Sequence, residues 1–237
     1  MKVGKTKIEN AVILLAGGSG RRMGHAVEDK VLARIAGKSL FERVLESFKQ
    51  AEISNHYSVV YRDAEQRDAL KRIAEHSQPG MQVSFVEGGK ERLNSVYNAL
   101  ISLPQETFER VWIHDCARGL IHSESLKLLV DALRNSDAAV LAHRVKDSIK
   151  QQQSDGLLKD VPRERLWAME TPQCFAQESI TQAYKAAINE GMAATDDVGI
   201  YERTGKPVAL VENPYNNPKL TTEADLAYFE FSLKDRT

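Results

Sequence analysis

The apolar run Ala11 to Leu15 ends in Ala16-Gly17-Gly18-Ser19-Gly20-Arg21-Arg22-Met23, and this junction limits the possible folds more than any other stretch. The run reads as a buried first strand. A glycine-rich turn leaving a buried strand exposes backbone N–H groups that suit phosphate oxygens. Arg21 and Arg22 add fixed positive charge inside the turn, and Lys30 follows seven residues after Met23. Together they suit a ligand with more negative charge than a carboxylate, such as a triphosphate. A plain strand-to-helix turn with solvated arginines is the alternative.

Two common phosphate loops fail on spacing. A dinucleotide fingerprint, G-x-G-x-x-G, running from Gly18 and Gly20 would need glycine where Met23 stands. A P-loop ending at Gly37-Lys38-Ser39 would need glycine at Leu32. An NAD enzyme is therefore disfavoured.

The remaining pattern alternates strands and helices. Ser39-Leu40-Phe41-Glu42 has the form of a capping box, opening a helix with Leu40, Phe41, Val44, Leu45 and Phe48 at helical spacing. Strands are expected at Ser58 to Tyr61, Val83 to Val86, Val111 to Ile113, Ala138 to Ala142 and Pro207 to Glu212. Helices are expected at Ala64 to His76, from Arg92 to about Leu103, at Ser123 to Asn135 and Gln177 to Asn189, with a last one after Ala224. Repeated strand–helix units predict an α/β fold with a mostly parallel sheet and helices on both faces. Lys146 to Arg165 breaks the pattern: a polar stretch of 20 residues without a core-sized apolar face. Such an excursion usually marks function or a protruding element.

Composition removes several classes. A net charge of −1 leaves no footprint for nucleic acid or an anionic membrane. No apolar run approaches the roughly 18 residues of a membrane span. Met1 to Asn10 is short and polar, unlike a signal peptide. Cys116 and Cys174 are too few for a disulfide framework, which predicts two small buried hydrophobes in a reducing, cytoplasmic compartment.

Several short patterns carry chemistry. Arg92 and Ser95 follow Gly88-Gly89 and share a face near a helix N-terminus, a suitable place for an anion or a polar edge. Asp115, in His114-Asp115-Cys116-Ala117-Arg118, sits where a parallel strand ends, the place where open sheets bind ligands. A carboxylate beside a triphosphate calls for a cation, so Asp115 is the metal candidate; a turn cap is its alternative role. Lys219 is a candidate phosphate clamp, or else an exposed lysine. Thr195 is a candidate helix cap.

Taken in order, L-A-G-G-S-G-R-R-M with Lys30, G-G-x-x-R-x-x-S, H-D-x-A-R, Asp147-Ser148-Ile149-Lys150, Arg163 before Leu166-Trp167, Thr171-Pro172-Gln173-Cys174-Phe175, Thr195-Asp196-Asp197 and Asn217-Pro218-Lys219-Leu220-Thr221 resemble one family over nearly the whole chain. That family is 2-C-methyl-D-erythritol 4-phosphate cytidylyltransferase, of the non-mevalonate isoprenoid pathway. The chain departs from it at Asp29, where the family has proline before the lysine, at Cys116, and at Gly119, where a lost proline is expected to loosen the turn. Asp29 is also expected to offset part of the charge of Lys30.

The resemblance implies a Rossmann-like nucleotidyltransferase fold in one domain over 1–237. It implies a β-arm at about 146–165 that embraces a second subunit, making a homodimer. It implies transfer of CMP from CTP to the polyol phosphate with release of pyrophosphate, assisted by Mg²⁺. In these terms Arg22, Lys30 and Lys219 are catalytic. Ala16, Gly17, Gly18, Ser19, Gly20, Gly89, Arg92, Ser95 and Asp115 bind CTP, and Asp115 holds the metal. Arg118, Ser148, Arg163, Thr195 and Lys219 bind the acceptor. Two other readings stay open from the residues: a ribitol 5-phosphate cytidylyltransferase of the same fold, and a nucleotide-binding module without catalysis.

Overall fold

The computed structural model describes residues 8–18, 29–77, 79–105, 107–192 and 194–234. In chain order the elements are β1 (Ile8–Leu15), β2 (Arg34–Ile35), β3 (Lys38–Ser39), α1 (Leu40–Gln50), β4 (His56–Tyr61), α2 (Ala64–Ser77), β5 (Gln82–Glu87), α3 (Arg92–Ser102) and β6 (Phe108–Asp115). There follow α4 (Ser123–Ala132), β7 (Ala138–Arg144), β8 (Ile149–Gln152), β9 (Leu158–Val161), β10 (Trp167–Ala176), α5 (Gln177–Asn189), α6 (Asp197–Tyr201), β11 (Ala209–Glu212) and α7 (Glu223–Lys234). Seven strands form one sheet in the order β11-β7-β10-β6-β1-β4-β5. All neighbours are parallel except β10, which runs antiparallel to both β6 and β7.

Both sheet faces are covered, and β1 shows why. Its side chains alternate between faces: Val12 and Leu14 join one buried cluster, Ala11 and Ile13 the other. The first cluster takes Phe41, Val44, Leu45 and Phe48 from α1 and Leu126 and Leu129 from α4. The second takes Val96, Ala99 and Leu100 from α3 and Ile180, Ala183 and Tyr184 from α5. A strand buried on both faces reads as an unbroken apolar run, as Ala11 to Leu15 does. Ser39 forms the serine half of the expected capping box: its Oγ accepts from Glu42 N at 3.1 Å. Such a cap stabilises a helix by about 1 kcal/mol. Cys116 and Cys174 are free and fully buried, as small hydrophobes. Among the described residues no helix is long and apolar enough to cross a membrane.

Two departures have local causes. Gly119 packs closely against Leu40. A Cβ there would lie 2.7 Å from Leu40 Cδ2 and 2.9 Å from Leu40 Cβ, so a proline at this position would require Leu40 or the turn to shift. The expected excursion is an antiparallel hairpin, β8 against β9, separate from the main sheet. Its base is closed by Val145 N donating to Leu166 O at 3.2 Å. Leu157 and Leu158 at its tip are each 67% exposed.

Candidate active site

The strand order reverses between β1 and β6: from β1 the chain builds outward through β4 and β5, then returns to β1's other side. Ligands bind at such a switch point, beyond the carboxyl ends of the strands. Leu15 and Asp115 are register partners there, and Ala16 N donates to Val60 O at 2.9 Å. A cavity of about 630 Å³ opens above them. Its walls carry Ala16, Gly17, Gly18 and Lys30 on one side, Gly89, Arg92 and Ser95 on another, and Asp115 and Lys219 on the floor.

Nine of the site residues expected from sequence thus converge on one space. Ser19, Gly20 and Arg22 lie outside the described residues. Arg118, Ser148, Arg163 and Thr195 are not among the described lining residues. Arg118 instead braces two main-chain carbonyls, donating to Asn217 O at 2.6 Å and Met169 O at 3.4 Å. Thr195 is exposed, and the cap of α6 is its neighbour Asp196, whose Oδ1 accepts from Gly199 N at 3.0 Å. Ser148 is exposed just before β8, and Arg163 is exposed just after β9, donating to Lys146 O.

Asp115 holds the centre of the floor. Its Oδ2 accepts from Lys219 Nζ at 2.5 Å, its Oδ1 from Arg92 Nε at 3.4 Å, and its main-chain N donates to Thr171 Oγ1 at 3.0 Å. Burial pushes its carboxyl up, but Arg92 and then Lys219 outweigh that and hold it well below the usual carboxylate range. Asp115 is therefore ionised at neutral pH, and it keeps Lys219 aimed at the cavity. Lys30 reaches the same space: its side chain is largely buried, and Nζ donates to Leu220 O at 3.2 Å. Leu220 is itself anchored in a small core with Leu40, Leu120, Phe229 and Leu233. Thus α7 and the β2–β3 turn region fix the carbonyl that holds Lys30.

Arg92 works inward as well as outward. Nη1 and Nη2 each donate to an oxygen of Asp197 at 2.7 Å, in the paired geometry that suits a planar guanidinium. Tyr184 donates to the same carboxylate. Arg92 is therefore the link between α3, the start of α6 and Asp115. The three-residue spacing to Ser95 puts both near the cavity, yet Ser95 serves the loop: it accepts from Gly89 N and donates to Glu91 O, both at 3.0 Å. Gly89 allows this tight approach, since a Cβ would fall 2.3 Å from Asn94 Cβ.

Sequence reasoning did not assign Thr171, Asp197 or Gln66 a site role. Thr171 and Asp197 stand inside T-P-Q-x-F and T-D-D, so a polar residue within each motif was the available signal. Thr171 also joins His114, whose Nδ1 lies 3.0 Å from its hydroxyl. Burial lowers the His114 pKa from 6.5 to about 3. The unfolded chain takes up a proton below 6.5 that the folded one refuses, so stability falls on acidification between those values. We expect a slope approaching ~1.4 kcal/mol per pH unit in denaturant melts, and a flatter one for His114→Gln. Equal slopes for the two proteins would remove His114 as the cause.

The donor set constrains any metal. Among the described residues no group of three or more His, Cys, Asp and Glu converges as a metal cage. One carboxylate at the cavity floor fits a Mg²⁺ that arrives on a triphosphate and takes most of its ligands from phosphate and water.

A parallel-sheet α/β protein that gathers cations, glycine backbone and one ionised aspartate at its topological switch point has the architecture of a nucleotidyltransferase. The family can be stated more closely. The model of the 2-C-methyl-D-erythritol 4-phosphate cytidylyltransferase family matches residues 10–235, and the chain belongs to that family. The 2-C-methyl-D-erythritol 4-phosphate cytidylyltransferase of Halalkalibacterium halodurans is 36% identical over 229 residues, 97% of this chain and 99% of its own. The crystal structure of the Thermus thermophilus cytidylyltransferase is 26% identical, with a TM-score of 0.76 over 96% of this chain and all of that one. The 4-diphosphocytidyl-2C-methyl-D-erythritol synthase of Anaerococcus prevotii, at 24% identity, shares the fold with a TM-score of 0.83 over 95% of this chain and 98% of its own.

Proposed function

We propose that the chain transfers CMP from CTP to 2-C-methyl-D-erythritol 4-phosphate, with Mg²⁺, as a homodimer. Membership of the family supports the reaction. The observation that carries the site is the convergence of Lys30, Lys219 and Asp115 on one cavity. An oxygen of the acceptor's phosphate attacks the α-phosphorus of CTP in line. The new P–O bond forms as the bond to the β-phosphate oxygen breaks, and the electron pair leaves with pyrophosphate. No proton needs to move, so the chain's work is positioning and charge neutralisation.

The backbone of Ala16 to Gly18 and of Gly89 receives the nucleotide. Lys30 approaches the phosphates from one wall and Lys219 from the floor, where the incoming anion competes with Asp115 for its ammonium. Asp115 would hold Mg²⁺, which when bound neutralises phosphate oxygens. Arg92 keeps Asp115 in place from behind through its pair with Asp197. The exposed, uncovered arm fits an embrace of a second copy, which would bring Arg163 to the partner's acceptor.

Pyrophosphate release measured across four nucleotides, with 2-C-methyl-D-erythritol 4-phosphate and ribitol 5-phosphate, tests the reading. Turnover should require CTP and the methylerythritol phosphate. Preference for ribitol 5-phosphate, or no turnover at all, would overturn it. Asp115→Asn removes the charge while keeping the shape. We expect the fold to persist and the Mg²⁺ dependence of the rate to weaken sharply; an unchanged Mg²⁺ titration would reduce Asp115 to a structural role.

A further inference from the structure

Asp29 stands where the family has proline, directly before Lys30, and the structure gives it work. Its side chain is only 9% exposed. Oδ1 accepts from Val31 N at 2.9 Å and Leu32 N at 3.3 Å, closing the turn that carries Lys30. Oδ2 accepts from Gln66 Nε2 at 2.6 Å and from Arg62 Nη1 at 3.3 Å. These four bonds occupy both carboxylate oxygens, and Asp29 is not among the described residues that line the cavity.

Gln66, on the first turn of α2, is 1% exposed. Its Nε2 also donates to Ala16 O at 3.1 Å, and its Oε1 accepts from Arg62 N at 2.7 Å. One carboxamide thus ties the end of β1, the end of β4 and the Lys30 turn together. Ala16 and Asp29 flank the glycine–arginine segment in sequence, so Gln66 bridges its two sides. Only a side chain with two donors and an acceptor on one planar head can do this: glutamate has no donor, and lysine no acceptor.

We propose that Asp29 and Gln66 are positioning residues for nucleotidyl transfer, holding the Lys30 turn at a fixed offset from the Ala16–Gly18 backbone. The inference rests on the functional reading above. It also explains how a chain without the family's proline keeps its lysine in register: hydrogen bonds replace a fixed φ.

A double-mutant cycle with Lys30 tests it. Asp29→Ala and Gln66→Glu should each lower kcat about 10–100-fold, the scale of an ångström-size misplacement, with KM for the acceptor unchanged. Gln66→Glu sets a carboxylate against Asp29 and a carbonyl. Added to Lys30→Ala, Asp29→Ala should cost no more than about twofold, because its effect runs through the missing ammonium. Asp29→Asn keeps the acceptor for Val31 N while presenting a donor to Gln66, and should lose kcat even if Asp29→Ala fails to fold. A second readout does not depend on turnover: acylation of Lys30 in the folded protein, followed by peptide mass spectrometry, should accelerate severalfold in Asp29→Asn. A kcat loss that persists undiminished beside Lys30→Ala, or a Lys30 labelling rate equal to wild type, overturns the proposal. If wild-type protein transfers no cytidylyl group, the functional reading fails and the labelling rate alone decides the positioning role.

Discussion

Lys30→Ala should lower kcat by two orders of magnitude or more while raising KM for CTP far less. Negative charge on the α-phosphate and on the departing pyrophosphate grows as the transition state forms. A cation fixed nearby therefore matters most there. Removing one such donor from a pre-organised site costs about 2–4 kcal/mol. The geometry gives Lys30 this standing. Its stem is buried, its ammonium is held by the Leu220 carbonyl at 3.2 Å, and it faces a cavity also lined by Lys219, which is engaged with Asp115 at 2.5 Å. Lys219 must exchange the Asp115 carboxylate for a phosphate, whereas the Lys30 ammonium is hydrogen-bonded to the Leu220 carbonyl, a neutral acceptor. Steady-state kinetics with calorimetric CTP binding separates the two parameters. A near-normal kcat would remove Lys30 from the chemistry, and an equal loss in affinity would make its contribution one of ground-state binding.

The local features of this site were legible in the chain. Strand ends and glycine turns are local events, so Ala16 to Gly18, Gly88-Gly89 and Asp115 could be placed by pattern. The antiparallel course of β10 was not expected, because direction in a sheet is set by connections and not by the strand's own residues. Side-chain partners were the least legible. Arg92 reads as a nucleotide contact from its place at a helix start, yet its paired bonds go to Asp197, 105 positions away. Nothing near Arg92 announces a buried acidic partner. The same holds for Gln66, which looks like one more polar residue in a charged helix until the fold brings Ala16 and Asp29 to its carboxamide. Thr195 is the expected cap of α6, and the cap found is its neighbour Asp196. Gly119 shows the converse: a departure that reads as lost rigidity is a fit to Leu40.

Arg163 should act in the site of the opposite subunit. In one chain it lies outside the cavity, exposed at the foot of the β8–β9 hairpin, with one Nη donating to the Lys146 carbonyl. The hairpin buries little of itself: Lys150 to Gln152 and Leu158 to Asp160 include no buried residue, and both tip leucines are 67% exposed. An exposed two-stranded ribbon is marginal alone, and a two-fold partner would cover both arms by one symmetric contact. A planar guanidinium then offers two parallel donors to the acceptor's phosphate, which lysine cannot match. Arg163→Ala should raise KM for 2-C-methyl-D-erythritol 4-phosphate and leave CTP affinity nearly unchanged. Mixing Arg163→Ala with Lys30→Ala, assayed at an acceptor concentration far below the raised KM, gives the sharper result. If Arg163 reaches across, each mixed dimer holds one site with both defects and one with neither, so activity should recover toward half the wild-type value per mixed dimer. Mass spectrometry of the intact dimers confirms subunit exchange before the assay. Exchange without recovery would assign Arg163 to its own chain's site or to none.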